Sequence, residues 1–129
     1  MNGVPTCADS RLNKILRETW GYTGYITSDT DAVGDIFSQH KYTKSKAEAS
    51  CLAISQGGCD MNSGGTYFES LADGVSQGLC NMSDVDKALE HTLGLRFELG
   101  LFDPIEDQPY ENILMVCICM CVYAYNTCT

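Results

Sequence analysis

The chain has 129 residues, enough for one modest domain, and sets 8 Lys and Arg against 17 Asp and Glu for a net charge of -9. That balance excludes a surface built to gather nucleic-acid backbone or anionic lipid and leaves a neutral partner such as a carbohydrate permitted. Eight cysteines suggest an oxidising compartment, but no Cys-x-x-Cys pair occurs, which argues against a structural zinc site.

Asn2-Gly3-Val4-Pro5-Thr6 reads as a loop, punctuated by Gly and Pro. Ser10 is placed to cap a helix running through Leu12, Ile15, Leu16 and Trp20, with Gly21 as its stop. Gly24-Tyr25-Ile26-Thr27-Ser28 is short and rich in β-branched and aromatic residues, which predicts a buried strand. Ser45-Lys46-Ala47-Glu48 has the form of a capping box. The helix it opens buries Ala49, Leu52, Ala53 and Ile54 and ends at Gly57-Gly58. Cys59-Asp60-Met61-Asn62 is the candidate second strand, and a helix over about 67–77 stops at Gly78. The last helix starts at Ser83, with Val85, Leu89, Leu93 and Phe97 expected on its buried face and Gly100 and Pro104 closing it.

The order helix, strand, helix, strand, helix, helix predicts an α/β architecture with parallel strands. Two parallel strands leave both edges open and too little sheet for the helices, so the chain reads as a slice of a larger domain. No basic region followed by an apolar stretch opens it, so a secretory signal is not expected in this segment. The apolar run from Ile113 to Tyr125 is too short for a membrane anchor. Asn81-Met82-Ser83 matches an N-glycosylation pattern, although Ser83 already has a use as a cap.

Functional groups of parallel α/β folds collect at the carboxyl ends of the strands, and Asp29 ends the first one. The structural alternative is that Asp29 only turns the chain together with Asp31. One reactive reading takes Asp29-Thr30-Asp31 as the Asp-x-Asp of a magnesium-dependent haloacid-dehalogenase-like phosphatase, but no later acidic motif at a strand end completes its metal site. His91 reads as a surface or packing residue and His40 as a packing or rim residue, neither of them catalytic.

A second reading rests on an ordered series of landmarks: Asn2-Gly3-Val4-Pro5-Thr6-Cys7-Ala8, Leu16-Arg17, Trp20-Gly21-Tyr22, Gly24-Tyr25-Ile26, Ser28-Asp29, Asp31-Ala32-Val33, Gly58-Cys59-Asp60-Met61-Asn62, Thr66-Tyr67, Gln77-Gly78-Leu79 and Leu99-Gly100-Leu101-Phe102-Asp103-Pro104. Over residues 2–112 the chain resembles glycoside hydrolase family 3, in its β-xylosidase-like branch. The resemblance implies the C-terminal slice, about strands 7 and 8 with their helices, of an incomplete (β/α)8 TIM-type barrel. It also implies a secreted full-length parent, no cofactor or metal, a carbohydrate substrate, and retaining hydrolysis of terminal β-linked xylose or glucose.

Asp29 is then the nucleophile and Thr30 a rim residue beside the sugar, Asp29 attacking the anomeric carbon to form a covalent glycosyl-enzyme. The acid/base Glu of the family lies in a second domain downstream, and the Lys-His pair and the Arg and Asp that hold sugar hydroxyls lie upstream. The chain alone is therefore expected to be inactive, and the remaining alternative is an inert or merely interacting piece. The branch carries a Cys after the nucleophile and another after the Asp-Met-Asn stretch, where this chain has Thr30 and Ser63. The resemblance stops near Ile113. Residues 113–129 form an uncharged tail with Cys117, Cys119, Cys121 and Cys128, which reads as translated noncoding sequence in preference to a metal-binding or palmitoylated tail.

Overall fold

Asp9, Ser45 and the glycines at 21, 58, 78 and 100 set the boundaries of most of the helices. The structure is a computed structural model and describes residues 2–112. The expected tail, with its boundary at 113, lies outside the described residues. Gly21, Gly58, Gly78 and Gly100 all take positive φ, between 65° and 71°, and each follows a helix or its last turn as the sequence suggests.

In chain order, a 3-10 turn at Thr6–Ala8 leads to α1 (Ser10–Lys14), prolonged by a π-helical turn at Ile15–Thr19. Ala32–Ser38 is α2, Lys46–Leu52 is α3 with a π-helical turn at Ala53–Gly57, Thr66–Ser76 is α4 and Met82–Glu98 is α5. Ser45 caps α3 as predicted, its hydroxyl accepting from Glu48 N–H at 3.1 Å, while Glu48 Oε2 accepts from Lys44 N–H at 2.7 Å.

Three expectations are corrected. The cap of α1 is Asp9, whose carboxylate accepts from Arg11 N–H at 3.1 Å; Ser10 is already helical. Helix α5 starts one residue before Ser83, at Met82, and the first turn is closed by Asp84 Oδ2 accepting from Asn81 N–H at 3.0 Å. The inward line of α5 is Ala88 and Thr92, with Leu89, Leu93 and Phe97 exposed. Small residues face the neighbouring elements, so the leucine stripe that dominates the hydrophobic pattern points to the other side.

The two predicted strands are present as extended segments joined by one parallel bridge, Thr27 to Met61; among the described residues no regular strand forms. Ile26 O accepts from Asp60 N–H at 2.8 Å and Met61 N–H at 3.1 Å, and Ser28 N–H donates to Met61 O at 2.9 Å. A parallel pair with no further strand on either side has too few bonds to extend into a ladder.

Two apolar clusters flank this pair within the unit that ends at Arg96. One gathers Ala8, Val33, Ile36, Ala49, Ala53 and Cys59; the other gathers Cys51, Ile54, Cys80 and Ala88, with Tyr67, Leu71, Val75 and Val85 against it. Val33 and Ile36 are fully buried and each contributes about 1.5–3 kcal/mol of transfer free energy. Helices α3 and α4 approach closely because Gly74 has no side chain: a Cβ there would stand 2.5 Å from Cys51 Sγ. Ser50 and Ser70 hydroxyls meet at 2.9 Å in that contact.

A disulfide joins Cys51 of α3 to Cys80, and closing a loop of 29 residues stabilises by roughly 3–4 kcal/mol. In the second unit, which begins at Phe97, the Phe97 and Phe102 rings lie 4.3 Å apart and Gln108 Nε2 donates to Gly100 O at 2.7 Å. Among the described residues no helix is long and apolar enough to cross a membrane.

Candidate active site

Asp29 follows the first extended segment directly, at the end where the chain turns into α2. Its backbone O accepts from Ala32 N–H at 3.2 Å, and Thr30 N–H donates to Asp29 Oδ1 at 2.7 Å, which fixes the carboxylate while the side chain stays exposed. Asp31 takes a left-handed conformation, φ 59°, that turns the chain into the helix. Asp29 and Asp31 therefore do shape a turn together, as the structural alternative had it, and the Asp29 side chain stays exposed on it.

A second loop clips this turn. Ser63 O accepts from Asp31 N–H at 2.7 Å, Ser63 N–H donates to Ser28 Oγ at 2.9 Å, and the Thr30 and Ser63 hydroxyls meet at 3.3 Å. Thr30 and Ser63, the two positions noted as differing from the resembled branch, thus face each other. Below Asp29 a cleft of about 430 Å³ is lined by Cys7, Leu12, Leu16, Ile26, Thr27, Ser28 and Cys59 among others. Leu12 and Leu16, two of the helically spaced apolar residues of the first helix, supply one wall; Trp20 is 72% exposed and supplies none.

The register of the two strand segments is held by a carboxylate that sequence reasoning did not single out. Asp60 has 5% of its side chain exposed. Its Oδ2 accepts from Arg17 Nη2 at 2.7 Å and from Ile26 N–H at 2.7 Å, and its Oδ1 accepts from His91 Nδ1 at 2.8 Å. Arg17 Nη1 donates onward to the carbonyls of Tyr22 and Gly24. One guanidinium therefore spans the loop before the first segment and the carboxylate of the second, a fork that a lysine cannot reproduce. His91 has the packing role expected of it, with an ionic partner. His40 is exposed and lines a separate recess of about 290 Å³ with Tyr42 and residues 3–6, away from Asp29.

Three ionisable groups near the cleft are displaced. A hydrogen bond from Cys59 brings the Cys7 thiol down to about 7, against the opposing effects of burial and the Asp29 charge. The same bond, with burial, pushes Cys59 up. Burial chiefly, with the neighbouring Cys59, pushes Tyr67 up, and its hydroxyl donates to Cys59 O at 2.7 Å. Among the described residues no group of three or more His, Cys, Asp or Glu is placed to hold a metal ion.

Residues 1–95 match the family model described as the glycosyl hydrolase family 3 N terminal domain. The chain is 42% identical over 117 residues to a probable exo-1,4-beta-xylosidase xlnD of Neosartorya fischeri and 39% identical over 117 residues to a probable exo-1,4-beta-xylosidase bxlB of Aspergillus terreus. Each of these alignments takes in 88% of this chain and 15% of the relative. It is 43% identical over 103 residues to a probable beta-D-xylosidase 6 of Arabidopsis thaliana, covering 80% of this chain and 13% of the relative. A solved GH3 exo-beta-xylosidase (XlnD) in complex with a xylobiose aziridine activity based probe superposes with a TM-score of 0.85 at 29% identity, over 97% of this chain and 16% of that one. A beta-glucosidase from Listeria innocua in complex with glucose superposes at 0.72 with 26% identity, over 87% of this chain and 15% of that one. The chain thus spans about 15% of the length of the curated relatives it matches.

Proposed function

This chain belongs to glycosyl hydrolase family 3, whose N-terminal domain is a TIM-like barrel, and we propose that its full-length parent removes terminal β-linked xylose or glucose with Asp29 as the nucleophile. Membership of a glycosidase family leaves the phosphatase reading of Asp29 and Asp31 without support. The observation that carries the proposal is the presentation of Asp29: an exposed carboxylate at the end of a parallel strand segment, fixed by Thr30 N–H at 2.7 Å over an open cleft.

In the proposed reaction the Asp29 carboxylate attacks the anomeric carbon as the glycosidic C–O bond breaks and a second carboxyl protonates the leaving oxygen. Water then attacks the glycosyl-enzyme, giving up its proton to that second group and releasing Asp29. Retention requires the second carboxyl about 5–5.5 Å from the first, and the family resemblance assigns it to a separate downstream domain. Thr30 stands at the rim beside the sugar. Residues 1–112 are read as strands 7 and 8 of the barrel with their helices. The parallel Thr27 to Met61 bridge and the exposed Leu89 and Leu93 of α5 support that reading, as an apolar face left for neighbouring elements. The Cys51–Cys80 disulfide and the exposed Asn81 of the Asn-Met-Ser pattern support an extracellular parent.

The test places residues 1–112 in the matching position of a full-length relative and assays aryl β-xyloside and β-glucoside. Turnover is expected from the chimera, with Asp29→Asn abolishing it and a 2-fluoro-xyloside labelling Asp29; the 129-residue chain alone turns over neither substrate. Undiminished turnover in Asp29→Asn, or labelling of another residue, would overturn the assignment.

A further inference from the structure

Two thiols lie under the Asp29 cleft and have no part in the hydrolysis. Cys7, in the 3-10 turn Thr6–Ala8, is half-buried, and Cys59, at the head of the second strand segment, is buried. Cys7 packs on the apolar cluster that contains Cys59, and both side chains line the cleft. Cys59 Sγ also donates to Met61 O at 3.4 Å, inside the strand pair. The backbone forces this approach: a Cβ at Gly57 would stand 1.8 Å from Cys7 O, so the turn lies directly on the end of the π-helical segment. Among the described residues the other two cysteines, Cys51 and Cys80, are already joined, which leaves this one pair open.

We propose that Cys7 and Cys59 are a dithiol modification site, oxidised by low-molecular-weight disulfides of the glutathione type to an internal disulfide that ties the turn before α1 to the strand floor under Asp29. The two positions divide the work. Cys7 is the accessible sulfur and attacks first: its thiolate bonds to one sulfur of the reagent, the reagent S–S bond breaks, and one thiol leaves with a proton from solvent. Cys59 then gives up its proton and attacks the Cys7 sulfur, and the second reagent thiol departs. The reagent gains two electrons, the two cysteines lose them, and two small thiols are released. A Cys7 thiol lowered to about 7 by its neighbour is close to the optimum for attack at neutral pH, while Cys59 stays protonated until the mixed disulfide is formed.

The experiment takes the whole 129-residue chain, reduces it, incubates it with glutathione disulfide, blocks remaining thiols with N-ethylmaleimide and maps tryptic peptides by mass and by fragmentation of the backbone between Cys51, Cys59 and Cys80. The expected product links the peptide ending at Arg11 to the peptide ending at Lys87, with Cys51 and Cys80 joined inside the latter. In Cys59→Ser that link disappears and Cys7 accumulates as the stable glutathione adduct; in Cys7→Ser, Cys59 remains free and is alkylated only after unfolding. The proposal is overturned if Cys7 stays unmodified, if it pairs as often with Cys51, Cys80 or a tail cysteine, or if Cys59→Ser leaves the link in place. Serine keeps the size and hydrogen bonding of each site, and formation of the Cys51–Cys80 bond in the same map reports that each variant has folded.

Discussion

Removal of the Asp60 carboxylate tests whether the strand register under Asp29 depends on it. The group is 5% exposed and accepts from Arg17, Ile26 N–H and His91. Asp60→Ala leaves the Arg17 guanidinium, itself only 17% exposed, without its carboxylate, and leaves Ile26 N–H without an acceptor. Breaking a buried pair by deleting one partner costs about 3–5 kcal/mol, and an orphaned backbone donor about 1–3 kcal/mol. Water can reach part of Arg17 and more of His91, so the lower half of that range applies and a loss of about 3 kcal/mol is expected. At a urea slope of about 2 kcal/mol/M this moves the unfolding midpoint down by about 1.5 M. Asp60→Asn keeps one acceptor and turns an amide donor toward another donor, for a loss of about 2 kcal/mol. Urea titration of the 129-residue chain followed by circular dichroism measures both. Amide exchange should quicken at Ser28, Asp60 and Met61 before the α3 and α4 amides respond. A midpoint within about 0.2 M of the parent for Asp60→Ala would refute the claim that this carboxylate holds the register.

Two glycine substitutions should act in opposite directions. Gly57→Ala sets a Cβ 1.8 Å from Cys7 O, backbone that cannot yield by a rotamer change, and is expected to lower stability by more than about 2 kcal/mol; Gly94→Ala meets nothing within 4 Å in mid-helix and should raise it by up to about 1 kcal/mol. Thermal melts of both variants check the sign. Hydrogen bonds from Arg11 hold the Asp9 carboxyl down at about 2 from its ordinary 3.8. Its contribution is therefore present above about pH 4 and lost as pH falls through about 2, so Asp9→Asn should flatten the acid limb of the stability profile in that window. Thr30→Cys with Ser63→Cys puts two sulfurs where hydroxyls already meet at 3.3 Å, and a rim disulfide is expected to form in an oxidising buffer. Two thiols that both remain reactive under those conditions would count against the rim geometry.

Most helices were legible because their ends are written locally: Ser45 with Glu48, and glycines that take positive φ after the last turn. The strands were legible only as extended segments, since regular pairing depends on neighbours that a local sequence pattern does not report. Asp29 could be found from its place at a strand end. The clip around it could be anticipated only through the resemblance, which marked Thr30 and Ser63 without saying that their hydroxyls touch. That Arg17, Asp60 and His91 meet was not legible, because they lie 31 to 74 residues apart in sequence and no periodicity links them.

Helix α5 was misread for a different reason. Leucine at i+4 spacing is the strongest apolar signal in that segment, yet Ala88 and Thr92 are the buried positions and Leu89 and Leu93 are exposed. Close packing against α5 selects small side chains on the near face, and Thr92 satisfies its own hydroxyl by donating to Ala88 O at 2.9 Å, so it can be buried without an external partner. The leucine face is then free for a second layer, as in helices that pack on both a sheet and their neighbours. The same pattern that suggested one buried stripe therefore describes a helix with two apolar sides, of which the small-residue side meets the core described above.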